Sequence, residues 1–480
     1  MSLSQHAARG LKWQAIELLL RQLISLGIFA TLSRLLAPED FGLFALVNLY
    51  LGFVAILGAQ GLRTAIIQRR SLESEHLDST FWYSAVVAGI VFLLTWILAP
   101  WIAAVLGDGR LAVYLRVASI IPVINALSNL HNSLFTRALD FRRPAIRTIV
   151  ANLAGGIAGV LLALNDYGPW ALIWQQIIAA FAGGIFLWRA SAYRPQFRFS
   201  WRHLNDLRAV GGAMFTTSFL WFFASRIDHY LLGRFSGPAT LGIYTLAGRL
   251  PELAKLITQQ PLSQVSTPAL SRLQDDPNEL KRSVYGAMEL VAFLTCPIFV
   301  GLAAVSNDAI PLIFGVQWAA AAPACALLAI SALVSTLMVF VHPTLLARGA
   351  NRDYVVLNAG QAICASAFCF LGVKHGAAGV ALAMLATNIV SAAPALALLK
   401  KWAGISPGRY LLPCLRPMLS SVFMYFALQQ VSSSFADSWS SIFSLAVKIA
   451  IGGSLYLGLS YVLQRSTVIK TIHFLQKAVR

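Results

Sequence analysis

Charge is the scarcest commodity in this sequence. Asp, Glu, Lys and Arg make up 12% of 480 residues, about half the share of an ordinary soluble domain, so a water-soluble globular fold is excluded. Cysteine is also rare. The five residues Cys296, Cys325, Cys364, Cys369 and Cys414 form no CxxC pair. All but Cys414 sit inside apolar runs, where cysteine acts as a small packing residue. The eight histidines are scattered and match no HExxH or similar ligand spacing. No P-loop is present, which removes nucleotide hydrolysis by that route. The sequence therefore predicts no metal, no cofactor and no catalytic residues. Chemistry, if any, has to be that of binding and transport.

What is abundant is apolar residues, 58% of the chain. They recur in runs close to the roughly 20 residues that span a bilayer as a helix. These predict an all-α, polytopic membrane protein of about 14 transmembrane helices, at 13–36, 41–61, 80–106, 112–135, 146–164, 168–189, 208–232, 240–262, 286–306, 319–346, 354–373, 377–399, 411–430 and 440–463. The interval 306–318, with Pro311 and Gly315, reads as an outer loop with a re-entrant turn. No signal peptide is expected, since the polar residues Met1 to Lys12 lead straight into the first span. With the N-terminus inside, Lys and Arg collect on the inner connections, as the positive-inside rule requires. The reading is a bacterial inner (plasma) membrane protein with both termini cytoplasmic. The net charge of +18 then faces the anionic inner leaflet and implies no nucleic acid partner. No loop is long enough for a folded catalytic domain.

The chain repeats itself. Ser33-Arg34-Leu35-Leu36-Ala37-Pro38-Glu39-Asp40-Phe41-Gly42 aligns without a gap on Gly233-Arg234-Phe235-Ser236-Gly237-Pro238-Ala239-Thr240-Leu241-Gly242. Arg137 after span four corresponds to Arg348 after span ten, and Tyr167-Gly168 before span six to His375-Gly376 before span twelve. Spans 1–6 thus match spans 7–12 as a parallel repeat, an arrangement that transporters use around a midplane site. The expected organisation is an N-terminal six-helix bundle at 1–190, a cytoplasmic linker at 191–207, a C-terminal six-helix bundle at 208–400, and accessory helices 13 and 14 with a cytoplasmic tail at 401–480.

Ionisable groups at membrane depth cost about 2.5–3.5 kcal/mol on insertion scales and mark function by default. Span 1 carries Glu17 and Arg21, four apart on one helix face. Span 7 carries Arg226 and Asp228, which point to nearly opposite faces. Span 8 carries Arg249, Glu252 and Lys255 at intervals of three, and span 14 carries Lys448, which can snorkel along an outer surface. Pairing alone would balance the signs, yet the excess is basic. The candidate substrate-binding residues are Arg21, Arg226, Arg249 and Lys255, lining a cationic cavity suited to phosphate. Glu17, Asp228 and Glu252 are candidates for ion coupling. The alternative is a set of buried pairs that fix helix register. Pro251, Pro261, Pro268, Pro297 and Pro343 are candidate bend points. Gly155-Gly156, Gly159, Gly183-Gly184 and Gly452-Gly453 read as close helix contacts. Trp13, Trp82, Trp101, Trp170, Trp318 and Trp402 read as interfacial anchors, and the segment Tyr193 to Trp201 as lying along the headgroups.

Several motifs carry a family resemblance: Gly10-Leu11-Lys12-Trp13, the Arg34-to-Leu46 turn, Ile66-Ile67-Gln68-Arg69, Arg137-Ala138-Leu139-Asp140-Phe141 and Arg194-Pro195-Gln196-Phe197-Arg198. Arg234 to Tyr244, Pro261-Leu262 through Pro268-Ala269-Leu270, and Ile310 to Gly315 with Trp318 complete the set. Through them the chain resembles the polysaccharide transporters of the MOP flippase superfamily, in particular the Wzx type of the colanic-acid subgroup. The resemblance implies two pseudo-symmetric six-helix bundles with two extra C-terminal helices. It implies alternating access, and flipping of an undecaprenyl-diphosphate-linked oligosaccharide from the inner to the outer leaflet. The partners implied are that lipid-linked substrate, membrane lipid, and the polysaccharide polymerase and export machinery. The competing reading is a multidrug exporter of the same superfamily, for which an acidic cavity would be expected.

Overall fold

The computed structural model describes residues 20–57, 65–67, 69, 72–274, 276–435 and 441–465. Every regular element among them is a helix. Glu17 and Trp13 lie outside the described residues. The chain divides into two compact units, Met1–Gly242 and Ile243–Arg480.

The first unit holds α1 (20–35), α2 (Pro38–Leu57), α3 (Ser74–Leu106), α4 (Leu111–Ala118), α5 (Ile120–Arg137), α6 (Arg142–Leu164) and α7 (Pro169–Ala190), with most of α8 (Trp201–Ala247). The second holds α9 (Arg249–Arg272), α10 (Pro277–Phe314), a 3-10 turn (Val316–Ala321), α11 (Ala322–Leu337) and α12 (Val341–Ala347). It continues through α13 (Asn351–Gly372), α14 (Gly376–Ala403), α15 (Pro407–Phe435) and α16 (Ser441–Leu463). Among the described residues, ten stretches are long and apolar enough to cross a membrane. The expected spans 354–373 and 377–399 fall together in one of them, Asn351–Ala403. The expected spans 13–36, 208–232 and 240–262 are not among the ten; the first is only partly described, and all three carry the charges singled out above.

The helices bury their small faces and expose their large ones. On α3, Ala88, Thr95, Ala99 and Ala103 are buried, while Val86, Ile90, Leu93, Ile97 and Trp101 are exposed at helical spacing. Such a surface is stable against lipid, where packing of small residues holds helices together. The pairing of α6 with α7 shows how close the approach is. A Cβ at Gly155 would stand 2.5 Å from the Gln175 carbonyl oxygen, and one at Gly159 3.0 Å from the Gln175 Cβ. Gly183, Gly184 and Gly452 are similarly crowded, but a Cβ at Gly453 would meet nothing within 4 Å, so that glycine is not a packing site.

The repeated motif acquires a physical meaning inside the first unit. A Cβ on Gly42 would lie 1.7 Å from the Pro238 carbonyl oxygen, and one on Gly242 would lie 1.8 Å from that of Pro38. The two copies therefore abut reciprocally, glycine beside proline carbonyl in both directions, and neither glycine tolerates a side chain there. Other matched positions also share a role. Gly168 (φ 51°) and Gly376 (φ 65°) both adopt the left-handed φ that favours glycine, each at the N-terminus of its helix. Arg137 donates to the carbonyls of Ile66 (2.8 Å) and Arg69; Arg348 donates to those of Gln274 (2.9 Å) and Trp402 (3.0 Å). In each unit one arginine thus ties down a backbone carbonyl of the connection two spans earlier, and Arg348 also one of the connection two spans later.

Several expectations need correction. No re-entrant turn occupies 306–318: α10 runs through Pro297 and Pro311 to Phe314 and ends at Gly315, whose φ is 111°. Proline there costs one backbone hydrogen bond but does not stop the helix. Trp318 is no interfacial anchor, being fully buried, unlike Trp101, which is 66% exposed. Lys448 does not snorkel outward; it is buried and its ammonium lies 2.7 Å from the Asp308 carboxylate on α10. The expected spans 208–232 and 240–262 are separated by a kink inside α8 at Gly237 (φ 84°), just before Pro238; where α8 gives way to α9 the backbone stays right-handed, and the Gly248 N–H still donates to the Tyr244 carbonyl at 3.0 Å.

Candidate functional site

The second unit contains a cavity of about 290 Å³ between α9, α11, α12, α13 and α14. Its polar wall is built mainly from neutral amides and hydroxyls: Gln259, Ser335, Asn358, Gln361, Asn388 and Ser391. These groups are ordered. Gln361 donates to the Asn388 side-chain oxygen at 3.1 Å, and Asn388 donates in turn to the Ser331 hydroxyl at 2.8 Å. Asn358 donates to the Tyr354 carbonyl at 3.0 Å. His342 and Tyr354, also lining residues, bring their rings within 4.4 Å at 37°. A wall of amides with an aromatic edge suits a neutral, hydroxyl-rich ligand, which needs both donors and acceptors at short range. It offers no activated nucleophile.

The charges of α9 lead toward this cavity. Arg249, Glu252, Lys255 and the cavity residue Gln259 fall within one sector of the helix at spacings of three, three and four. They extend over about 15 Å at 1.5 Å per residue. Arg249 and Lys255 are half-buried, whereas Glu252 is exposed. The acidic member of the ladder thus sits toward solvent and the basic members toward protein.

In the first unit, Arg21 is half-buried on α1 and Arg226 is exposed on α8. Asp228 is buried and accepts from the backbone N–H of its neighbour His229 at 2.8 Å, with the His229 Nδ1 at 2.9 Å. Arg226 and Asp228 do face differently, as their spacing requires. The sequence reading missed the amide cavity and Asp308. The signal available was polar amides embedded in apolar runs, Gln259 on α9, Asn358 and Gln361 on α13, and Asn388 on α14.

Away from the membrane-spanning segments, the Arg110 guanidinium lies 2.7 Å from Asp108 and 2.6 Å from Glu39. That hydrogen bond holds the Asp108 carboxyl below its usual range. The segment 191–200 is extended and docked on the start of α3. Asp78 accepts from the Tyr193 hydroxyl and from the Gln196 N–H, and the Trp82 indole donates to the Gln196 carbonyl at 2.8 Å. Burial and the Asp78 carboxylate raise the Tyr193 phenol above its ordinary value. Phe197 stacks on Trp82 at 4.7 Å and is otherwise almost wholly exposed.

Comparison with known proteins fits this architecture. Residues 31–323 match the model of a family described as "Polysaccharide biosynthesis protein". The succinoglycan biosynthesis transport protein ExoT of Rhizobium meliloti is 27% identical over 300 residues, covering 62% of this chain and 61% of that protein. The teichuronic acid biosynthesis protein TuaB of Bacillus subtilis is 24% identical over 461 residues, 95% of each chain. Among solved structures, the lipid II flippase MurJ in an inward closed conformation superposes with a TM-score of 0.76 at 17% identity. That match covers 95% of this chain and 99% of the other.

Proposed function

From the premise that the chain belongs to this polysaccharide biosynthesis family, multi-pass flippases of the MOP superfamily and not enzymes, we propose that it moves an undecaprenyl-diphosphate-linked oligosaccharide across the membrane. The direction is from the inner to the outer leaflet of the bacterial plasma membrane, with both termini cytoplasmic. The observation that carries this reading is the basic ladder of α9, half-buried Arg249 and Lys255 with Glu252 outside, running into an amide-lined cavity. A lipid-linked oligosaccharide has that same composition: a diphosphate, which guanidinium and ammonium groups bind, joined to neutral sugars, which amides bind.

Arg21, Arg226, Arg249 and Lys255 hold the diphosphate in this scheme. Gln259, Asn358, Gln361 and Asn388 bind sugar hydroxyls, and the polyprenyl tail stays in lipid. Two six-helix bundles, 1–190 and 208–400, joined by the linker 191–207 and followed by accessory helices in 401–480, alternate access between leaflets. Glu17, Asp228 and Glu252 couple the cycle to an ion gradient. The product passes to the polysaccharide polymerase and export machinery.

The test is a binding titration of the detergent-solubilised full chain with undecaprenyl diphosphate and with uncharged undecaprenol. Saturable binding of the diphosphate alone, weakened by added salt and by Arg249→Gln, is expected. Equal affinity for the two lipids would overturn the cationic site.

A further inference from the structure

We propose that Glu73, His76 and His203 form a binding site for a divalent transition-metal ion, zinc by ligand type, which fastens the start of α8 to the start of α3. All three residues belong to the first unit, and none is among the residues assigned to transport. Each offers one ligand atom, and the three atoms lie within 4.8 Å of one another. His203 Nε2 stands 3.1 Å from Glu73 Oε2 and 3.5 Å from Glu75 Oε2. Two ligand atoms on a tetrahedral zinc, each about 2.0–2.1 Å from the metal, are separated by about 3.3 Å. The His203–Glu73 spacing of 3.1 Å is close to that value, and the His76 ligand atom lies within 4.8 Å of both.

The ring orientations also fit. His203 Nδ1 is 2.7 Å from the Ser200 hydroxyl. A proton on Nδ1 donated to that oxygen leaves Nε2 bare and aimed at the carboxylates, the kind of outer contact that orients metal-binding histidines. The His76 ring lies edge-on to it, 4.4 Å away. His76 is 1% exposed, yet its Nε2 is buried with no hydrogen-bond partner. The nearest acid is Asp206, whose Oδ2 is 4.0 Å off and also 3.3 Å from Arg69. An orphaned buried nitrogen costs free energy, and a cation bound to it would remove that cost. His76 Nδ1 accepts at 3.3 Å from the Glu73 N–H. Ligation through Nε2 moves the ring proton to Nδ1 and exchanges this long contact for a metal bond. Two imidazoles with carboxylates form a borderline nitrogen–oxygen set that favours zinc over calcium or magnesium. Glu73, Glu75 and Asp206 bring three carboxylates to the histidines, and Arg69 is paired with Asp206 at 3.3 Å.

The consequence would be mechanical. The metal would close a ring between the segment leading into α3 and the first turn of α8, the two ends already spanned by the docked 191–200 segment.

The experiment titrates Co2+ into the full chain, purified through a tag without histidine, and follows the visible ligand-field absorption of tetrahedral Co2+. Saturation at one equivalent, with the band displaced by Zn2+, is expected. His76→Ala and His203→Ala should each weaken binding at least about tenfold and remove the tetrahedral band. Glu73→Gln, close in shape and still able to bond His203, covers the case in which loss of a ring impairs folding; it too should weaken Co2+ at least tenfold. No saturable band in the wild-type chain would overturn the proposal. So would a band that survives unchanged in Glu73→Gln and in whichever histidine variants fold.

Discussion

Adding one methyl group at the contact between the two motif copies is expected to damage the protein out of proportion to its size. In Gly42→Ala the new Cβ would start 1.7 Å from the Pro238 carbonyl oxygen, with the Pro238 carbonyl carbon at 2.3 Å and its Cα at 2.8 Å. An ordinary carbon–oxygen contact is about 3.3–3.6 Å, so the backbones must part by about 1.5 Å or more. The obstructing atoms are main chain and cannot rotate aside. Overpacking of this kind costs about 1–3 kcal/mol when side chains can yield; here the upper end applies. For a domain of 150–250 residues each kcal/mol lowers Tm by about 2–4 °C, so a fall of about 6–12 °C is expected. Thermal unfolding of the purified chain in detergent, followed by far-ultraviolet circular dichroism, measures it. Gly242→Ala should match it, because its Cβ would meet the Pro38 oxygen at 1.8 Å. The double variant should lose less than the sum, since the first methyl already opens the shared contact. Gly453→Ala, with nothing within 4 Å of its Cβ, should be neutral or slightly stabilising. A Gly42→Ala chain as stable as wild type would refute the reciprocal contact.

Lys448→Met should destabilise the second unit by about 1–3 kcal/mol, because it removes the partner of the Asp308 carboxylate, which is only partly exposed. The double variant Lys448→Met with Asp308→Asn should recover most of the loss in the same melting assay. The Asp108–Arg110 pair depresses the Asp108 pKa, so its contribution is present above the unfolded carboxyl value of about 3.9 and fades as pH falls through the lower folded value. Stability from this pair should therefore be flat from about pH 7 to 5 and decline below about pH 4; Asp108→Asn should abolish that acid-dependent part of the melting curve. Asn388→Ala removes donors to Ser331 and an acceptor from Gln361 at the cavity wall. It should weaken binding of the lipid-linked oligosaccharide while leaving undecaprenyl diphosphate unaffected, as read by parallel titrations.

Much of the fold was legible because the bilayer leaves few choices. Apolar runs of the right length have to be helices, and the repeated Pro38 and Pro238 motifs mark matched turns. The candidate charges were legible singly, since each stands out in an apolar run. Their surroundings were not. Pro311 looked like a break, but only Gly315, with its positive φ, ends the helix, and that misreading hid Asp308 from Lys448. Trp318 sat near an expected boundary, yet the 3-10 turn that carries it folds inward. The amides Gln259, Asn358, Gln361 and Asn388 are spread over three helices, and only their convergence makes a cavity. His76 and His203 are separated by most of the first unit's spans. No spacing rule written for neighbouring ligands can detect them.

Transport itself is the most direct test: transfer of a labelled undecaprenyl-diphosphate oligosaccharide across liposomes containing the purified chain, with and without a proton gradient. Wild-type protein should transfer the label, Arg226→Ala and Arg249→Ala should each abolish transfer, and the gradient should accelerate it. Undiminished transfer by both arginine variants would contradict the cationic site. Absence of transfer by the wild type, with export of a cationic dye in its place, would contradict the substrate.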